Sequence, residues 1–220
     1  MAAKANLAPK AIVARVVAGL VVGFARLVTA VRPEWRGCLP SPSARVYFAN
    51  HASHGDFVLI WTVLPQALRT TTRPVAARDY WGGTGLRAFI GRNVFNAVLI
   101  DRMPDPRQPH PIEQLGAALK EGSSLIFFPE GTRNTTGDIL LPFKSGLYHL
   151  TRDNPDVELV PVWIDNLSRV MPKGHFLPVP LLCSVTFGTP IRLAAEEGKD
   201  AFLARARTAL LTLAPGENPP

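Results

Sequence analysis

The sequence predicts an α/β fold, and three observations carry that prediction. Short apolar runs of strand length, such as Arg45 to Ala49 and Ser124 to Phe128, end in glycine- or proline-bearing turns. Longer helical segments alternate with them, as they do when helices cover a sheet. The chain has 220 residues, 47% hydrophobic and 19% charged, enough for one domain with a sizeable core.

The first element is an apolar segment from Ala11 to Val31, broken by Arg15, Arg26 and Thr29. At helical period Arg15, Gly19, Val22, Arg26 and Thr29 share one narrow face. The other faces are apolar, from Ile12 and Val13 through Leu20 and Phe24 to Leu27. About 20 apolar residues cross a bilayer, but two internal arginines make crossing costly. A helix lying in the interface fits best, with Lys4, Lys10, Arg15, Arg26 and Arg32 among the headgroups. A buried core helix, a spanning anchor and a cleaved signal peptide are the competing readings.

Arg32 to Ser43 carries Pro33, Pro40 and Pro42 and reads as a linker. Strands are expected at Arg45 to Ala49, Arg73 to Arg78, Asn96 to Asp101, Ser124 to Phe128, Glu158 to Ile164 and Leu182 to Phe187. Helices are expected at Asp56 to Leu64, stopped by Pro65, at Thr84 to Arg92, and at Pro111 to Lys120, with proline in the first turn. Met103 to Pro111 reads as a proline-rich loop. An amphipathic helix from Ala194 to Leu213 closes the domain. The expected organisation is therefore a basic amphipathic helix over 1–32, a folded domain over 33–213 and a disordered tail over 214–220.

Lys plus Arg number 24 against 17 Asp plus Glu, a net charge of +7. That favours anionic partners such as a phospholipid surface, a phosphorylated small molecule or an acidic carrier protein. Nucleic acid is disfavoured, because no basic cluster interleaves with aromatics. Cys38 and Cys183 are distant and unpatterned, so neither a disulfide framework nor a zinc site is indicated.

Two motifs carry chemistry. In Asn50-His51-Ala52-Ser53-His54-Gly55-Asp56 a histidine stands at a strand's carboxyl edge, five positions before an aspartate. A His oriented by an Asp makes a general base near neutral pH. Residues five apart on a continuous helix point roughly 140° apart, so His51 belongs in the loop and Asp56 in the first helical turn. The competing reading is a capping box, Ser53 with Asp56, before the run Phe57 to Trp61. The second motif is Pro129-Glu130-Gly131-Thr132-Arg133, directly after an apolar strand. Glycine admits close backbone approach and arginine offers a forked donor for phosphate. An ordinary turn with a surface Glu130–Arg133 pair is the alternative.

With these motifs the chain resembles the PlsC-like glycerolipid acyltransferases, the 1-acylglycerol-3-phosphate O-acyltransferases. Four blocks stand in that family's order: His51 through Asp56, Val98-Leu99-Ile100-Asp101-Arg102, Phe128 through Arg133, and Val160-Pro161-Val162. The resemblance runs from about Arg45 to Ile191 and implies a single mixed central β-sheet flanked by helices. It implies that His51 is the general base and Asp56 its orienter. It also implies that Glu130, Gly131, Thr132 and Arg133 shape the acceptor site, with Arg102 on the acceptor phosphate. Arg78 stands where the family often shows a lysine.

The activity implied by that resemblance is acyl transfer. A fatty acyl group would pass from an acyl-CoA or acyl-carrier-protein thioester to the hydroxyl of lysophosphatidic acid, giving phosphatidic acid. No Ser or Cys sits in a nucleophile elbow, so direct transfer without an acyl-enzyme is expected, with no metal and no cofactor. The expected location is the cytoplasmic face of the cell membrane, peripheral or monotopic, on an anionic surface. Another lysophospholipid or an amino-acid lipid is the alternative acceptor. A non-catalytic lipid-binding protein and a metal hydrolase using His51, His54 and Asp56 are alternatives of other classes.

Overall fold

The structure, a computed structural model, describes residues 9–53, 55–101, 109–165 and 182–216. One seven-stranded mixed sheet forms its centre. The strands are β1 (Arg32–Trp35), β2 (Arg45–Ala49), β3 (Thr72–Ala77), β4 (Val98–Ile100), β5 (Ser124–Phe127), β6 (Glu158–Asp165) and β7 (Ser184–Phe187). Their spatial order is β1-β7-β6-β2-β5-β3-β4. Neighbours are parallel except for β6 and β7. The carboxyl ends of β6, β2, β5, β3 and β4 therefore share one edge.

Strand β2 shows why its residues form a strand. All five are buried, as a parallel strand covered on both faces requires. Tyr47 and Ala49 enter one apolar cluster with α1 (Pro9–Thr29) and α2 (Asp56–Val63). Val46 and Phe48 enter the other, with α6 (Pro111–Lys120), α7 (Gly146–Arg152) and α8 (Lys199–Leu211). At the start of β2, buried Arg45 is held by Glu158 at 2.8 Å and by the Leu39 carbonyl. The shorter helices α3 (Gln66–Arg69), α4 (Arg78–Trp81) and α5 (Leu86–Phe89) line the path to β4, and a π-turn over Ile90–Val94 follows α5.

Several elements differ from the sequence-based expectation. The segment read as a linker begins with β1, which pairs in parallel with β7 and stacks Trp35 on Phe187 at 3.9 Å. Pro33 is tolerated because β1 is an edge strand. The helix expected over Thr84 to Arg92 is four residues of α5 followed by the π-turn. The closing helix begins at Lys199 rather than Ala194, because Glu196 takes a φ of +61° inside a turn. The loop expected from Met103 to Pro111 falls mostly outside the described residues.

Helix α1 spans 21 residues, about 31 Å at helical rise. Its composition and length suffice to cross a membrane, and only 17% of its most apolar stretch is buried. Ala14, Val22, Ala25 and Thr29 face the domain. Val22 and Thr29 thus turn inward, although helical spacing grouped them with exposed Arg15 and Arg26. The Thr29 hydroxyl donates to the Ala25 carbonyl at 2.7 Å, which removes the cost of burying it. Leu20, Phe24 and Leu27 are 65–82% exposed.

Candidate active site

The loop leaving β2 and the amino terminus of α2 build the site. His51 Nδ1 lies 2.8 Å from Asp56 Oδ2. The same oxygen accepts the backbone N–H groups of Ala52 at 2.7 Å and Ser53 at 2.8 Å. A carboxylate only accepts, so the proton of this bond sits on Nδ1, which in the neutral ring leaves the lone pair on Nε2. The ring stacks on Phe128, centroids 4.2 Å apart, which fixes its plane. Asp56 is almost fully buried, while the His51 side chain is one-fifth exposed.

The capping box is half present. Asp56 reaches back to the Ser53 N–H, but the Ser53 hydroxyl accepts from Gly55 N–H at 3.2 Å instead of capping the helix. One carboxylate thus both ties the turn and holds the imidazole. Its other oxygen, Oδ1, is buried with no partner among the described residues.

Glu130 follows β5, the strand beside β2. It is 2% exposed and spends both oxygens on backbone N–H groups, Oε1 on His51 at 2.7 Å and Oε2 on Leu141 at 3.0 Å. Burial raises its pKa above 4.5, opposed by those two hydrogen bonds. Asn134 N–H donates to the His51 carbonyl at 2.6 Å, so the Glu130 turn holds His51 from both sides.

Sequence reasoning missed Asn50 as a functional position. Its side chain grips the Ile164 backbone twice, donating to the carbonyl at 3.0 Å and accepting from the N–H at 2.8 Å. This clamp joins the loop after β2 to the end of β6. Its only local signal is an asparagine at a strand end.

Among the described residues, neither Arg78 nor Arg133 lines the cavity beside His51. Arg78 binds Asp101 at 3.0 Å and the Leu99 carbonyl at 2.8 Å, in a separate cavity of about 370 Å³ with Arg73 and Gln114. Gly131, Thr132 and Arg133 are exposed on the Glu130 turn. Arg102 and His54 lie outside the described residues. The cavity beside His51, about 280 Å³, is lined by Asn134, Thr136, Asp138, Trp163 and Asp165 among others. A third cavity, about 400 Å³ and almost wholly apolar, runs between α1 and α2, bounded by Leu20, Phe24, Val28, Val58 and Gly55, the residue before Asp56. Among the described residues no three His, Cys, Asp or Glu side chains gather as a metal site.

The family model described as Acyltransferase matches residues 36–165, well over half of the chain. The chain belongs to this acyltransferase family, of the PlsC-like kind. It is 31% identical over 190 residues to the 1-acyl-sn-glycerol-3-phosphate acyltransferase alpha of Bos taurus, covering 83% of this chain and 63% of that protein. It is 29% identical over 154 residues to the 1-acyl-sn-glycerol-3-phosphate acyltransferase of Cocos nucifera, covering 69% of this chain and 47% of that one. The chain thus spans about half to two thirds of the length of these relatives. The acyltransferase fold itself is shared with the crystal structure of the 1-acyl-sn-glycerophosphate (LPA) acyltransferase PlsC from Thermotoga maritima. The TM-score is 0.66 at 20% identity, covering 94% of this chain and 82% of that one.

Proposed function

We propose that the protein acylates 1-acylglycerol-3-phosphate with a fatty acyl thioester, carried by coenzyme A or acyl carrier protein, to give phosphatidic acid. The observation that carries this reading is the His51–Asp56 pair, with Nε2 of His51 left available. Nε2 takes the proton of the acceptor hydroxyl as its oxygen attacks the thioester carbonyl. The tetrahedral intermediate collapses, the C–S bond breaks, and the leaving thiolate takes the proton from the imidazolium. Asp56 stabilises that imidazolium and holds the tautomer, as the aspartate of a catalytic triad does. Transfer is direct: the Ser53 hydroxyl is engaged by Gly55 N–H, and the thioester is already activated.

The exposed apolar face of α1 and the apolar cavity beneath it fit a reaction between lipids at a membrane surface. The protein then sits on the cytoplasmic face as a peripheral or monotopic enzyme, where thioester donors are made. The relatives' names support the phosphate-bearing acceptor. One observation favours a second acceptor: Asp138 and Asp165 line the cavity beside His51 and suit a cationic headgroup, such as that of an amino-acid lipid. Mass spectrometry of products from mixed acceptors and both donor types decides between them. Phosphatidic acid as the main product supports the first reading, and acylation of the amino-acid lipid alone replaces it.

A further inference from the structure

Helix α1 has an exposed apolar neighbour. The π-turn over Ile90–Val94 packs against α1, and the chain that leads into it exposes Tyr80 by 37% and Leu86 by 71%. These two flank the turn Gly82-Gly83-Thr84-Gly85 between α4 and α5. Among the described residues, α1 and this segment are the only stretches that expose more than one large hydrophobic side chain. The root of the turn is anchored. Half-buried Trp81 packs edge-on against Phe57 of α2, centroids 5.5 Å apart, and the Arg92 guanidinium donates to the Gly82 carbonyl. The tip projects, because a Cβ on Gly83 or Gly85 would meet nothing within 4 Å.

The charge around the turn is mostly positive. From Arg78 to Val94 stand three arginines and one acidic residue, Asp79. Arg78 is paired with Asp101, which leaves Arg87 and Arg92 as the exposed cations. The Arg87 guanidinium lies 4.3 Å from the centroid of the Tyr80 ring. An arginine over a tyrosine, with an exposed leucine beside it, suits the layer where hydrocarbon meets phosphate. Helix α1 alone would be a line of contact with that layer. A domain resting on one helix can roll about the helix axis, and the His51 cleft would rise and fall with the roll. A second contact off that axis stops it.

We infer that the turn between α4 and α5 is a second membrane contact, where Leu86 and Tyr80 enter an anionic phospholipid bilayer beside α1 and Arg87 and Arg92 meet its lipid phosphates. This rests on the reading of α1 as a membrane-surface helix, and adds the element that holds the domain at one angle to the bilayer.

An environment-sensitive fluorophore on the full chain tests the inference. In a Cys38→Ser background, with Cys183 buried, the label is attached in turn to Leu86→Cys, Leu20→Cys and Asp200→Cys. Asp200 is exposed on α8, which packs on the opposite face of the sheet from α1. Vesicles of phosphatidylcholine with phosphatidylglycerol shift the emission to the blue at Leu86 and Leu20 and leave it unchanged at Asp200. A shift at Leu20 without one at Leu86 overturns the second contact and leaves α1 as the first. No shift at either removes both contacts. A shift at Leu86 alone makes the turn the sole contact and overturns the two-point attachment, and a shift at all three marks unspecific association and does the same.

Flotation of unlabelled variants gives the magnitudes. Leu86→Asp weakens binding to these vesicles by about tenfold. Arg87→Gln weakens it by about fivefold, and leaves binding to pure phosphatidylcholine unchanged. Both side chains are exposed, so the fold survives either change. Wild-type binding in both variants overturns the inference. None of these measurements needs turnover, so the acyl-transfer reading stands or falls separately.

Discussion

Asp56 Oδ2 holds His51 Nδ1 at 2.8 Å while also accepting two backbone N–H groups. The partner of the base is therefore fixed by the loop that carries the base. His51→Ala is expected to lower transfer by about 10²–10⁴-fold, and His54→Ala to leave most of it. Initial rates on vesicle-borne acceptor check both. The reverse ranking would move the base to His54.

Asp56→Asn should fold, because an amide oxygen can replace Oδ2 and the amide nitrogen then takes the unpartnered Oδ1 position. Turnover should fall, because the imidazolium loses its counter-charge. Asp56→Ala should destabilise the domain by on the order of 3 kcal/mol, since it orphans two backbone donors. Thermal denaturation of both variants separates the roles. Unfolding of the Asn variant would leave Asp56 as a structural tie only.

Glu130 makes stability depend on pH. Its pKa is raised in the folded state by burial, above an ordinary 4.5. The folded protein binds this proton more tightly than the unfolded chain, so ionisation of Glu130 lowers stability as pH rises from about 4.5 through the raised value. Glu130→Gln removes that slope. It also sets an amide donor against the Leu141 or His51 N–H, at a cost of about 1–3 kcal/mol. Urea melts of both proteins across pH 4 to 8, roughly the span over which buried carboxylates titrate, check the sign. An equal slope in both would assign the dependence to other groups.

Much of this was legible in the sequence, and the boundary is physical. His51 and Asp56 could be paired from spacing because they are local. The buried runs of β2, β5 and β6 could be read because burial on both faces leaves the residues between their ends apolar. Edge strand β1 could not, since four residues with one proline carry no period. Helix α7 is seven residues, begins at Gly146 and has no side-chain cap. The Asn50 clamp and the Glu130 brace were hidden because their partners are backbone groups 114 and 79 residues away. A side chain that serves a distant main chain leaves no pattern near itself.

Membrane binding should reside on the exposed face of α1. Deleting the helix is a poor test, because Ala14, Val22 and Ala25 are part of the core. Leu20→Asp, Phe24→Asp and Leu27→Asp together should release the protein from anionic vesicles and leave its melting temperature within a few degrees. Flotation checks this, and undiminished binding would place the contact elsewhere. Salt should weaken the contribution of Arg15 and Arg26 and spare the apolar one.

Thiol labelling gives an independent check of the fold. Burial lifts the Cys183 pKa to about 11, and it raises that of half-buried Cys38 as well. At neutral pH Cys183 should react only after unfolding, and Cys38 slowly before it. Rapid labelling of Cys183 in the native protein would contradict its packing in the apolar cluster.

The order of the sheet sets a timetable for synthesis. Strand β2 lies between β5 and β6, so the segment bearing the base leaves the ribosome long before either neighbour exists. Asn50 meets Ile164 only after 114 further residues have been made. A nascent chain already contains His51 and Asp56 while lacking the two strands that flank them. Helix α1 comes out earlier still, with its apolar surface complete and β7, the partner of the strand that follows it, more than 150 residues away. Its own chain offers it a surface to fold against only once α2 and the turn over Ile90–Val94 have followed it out.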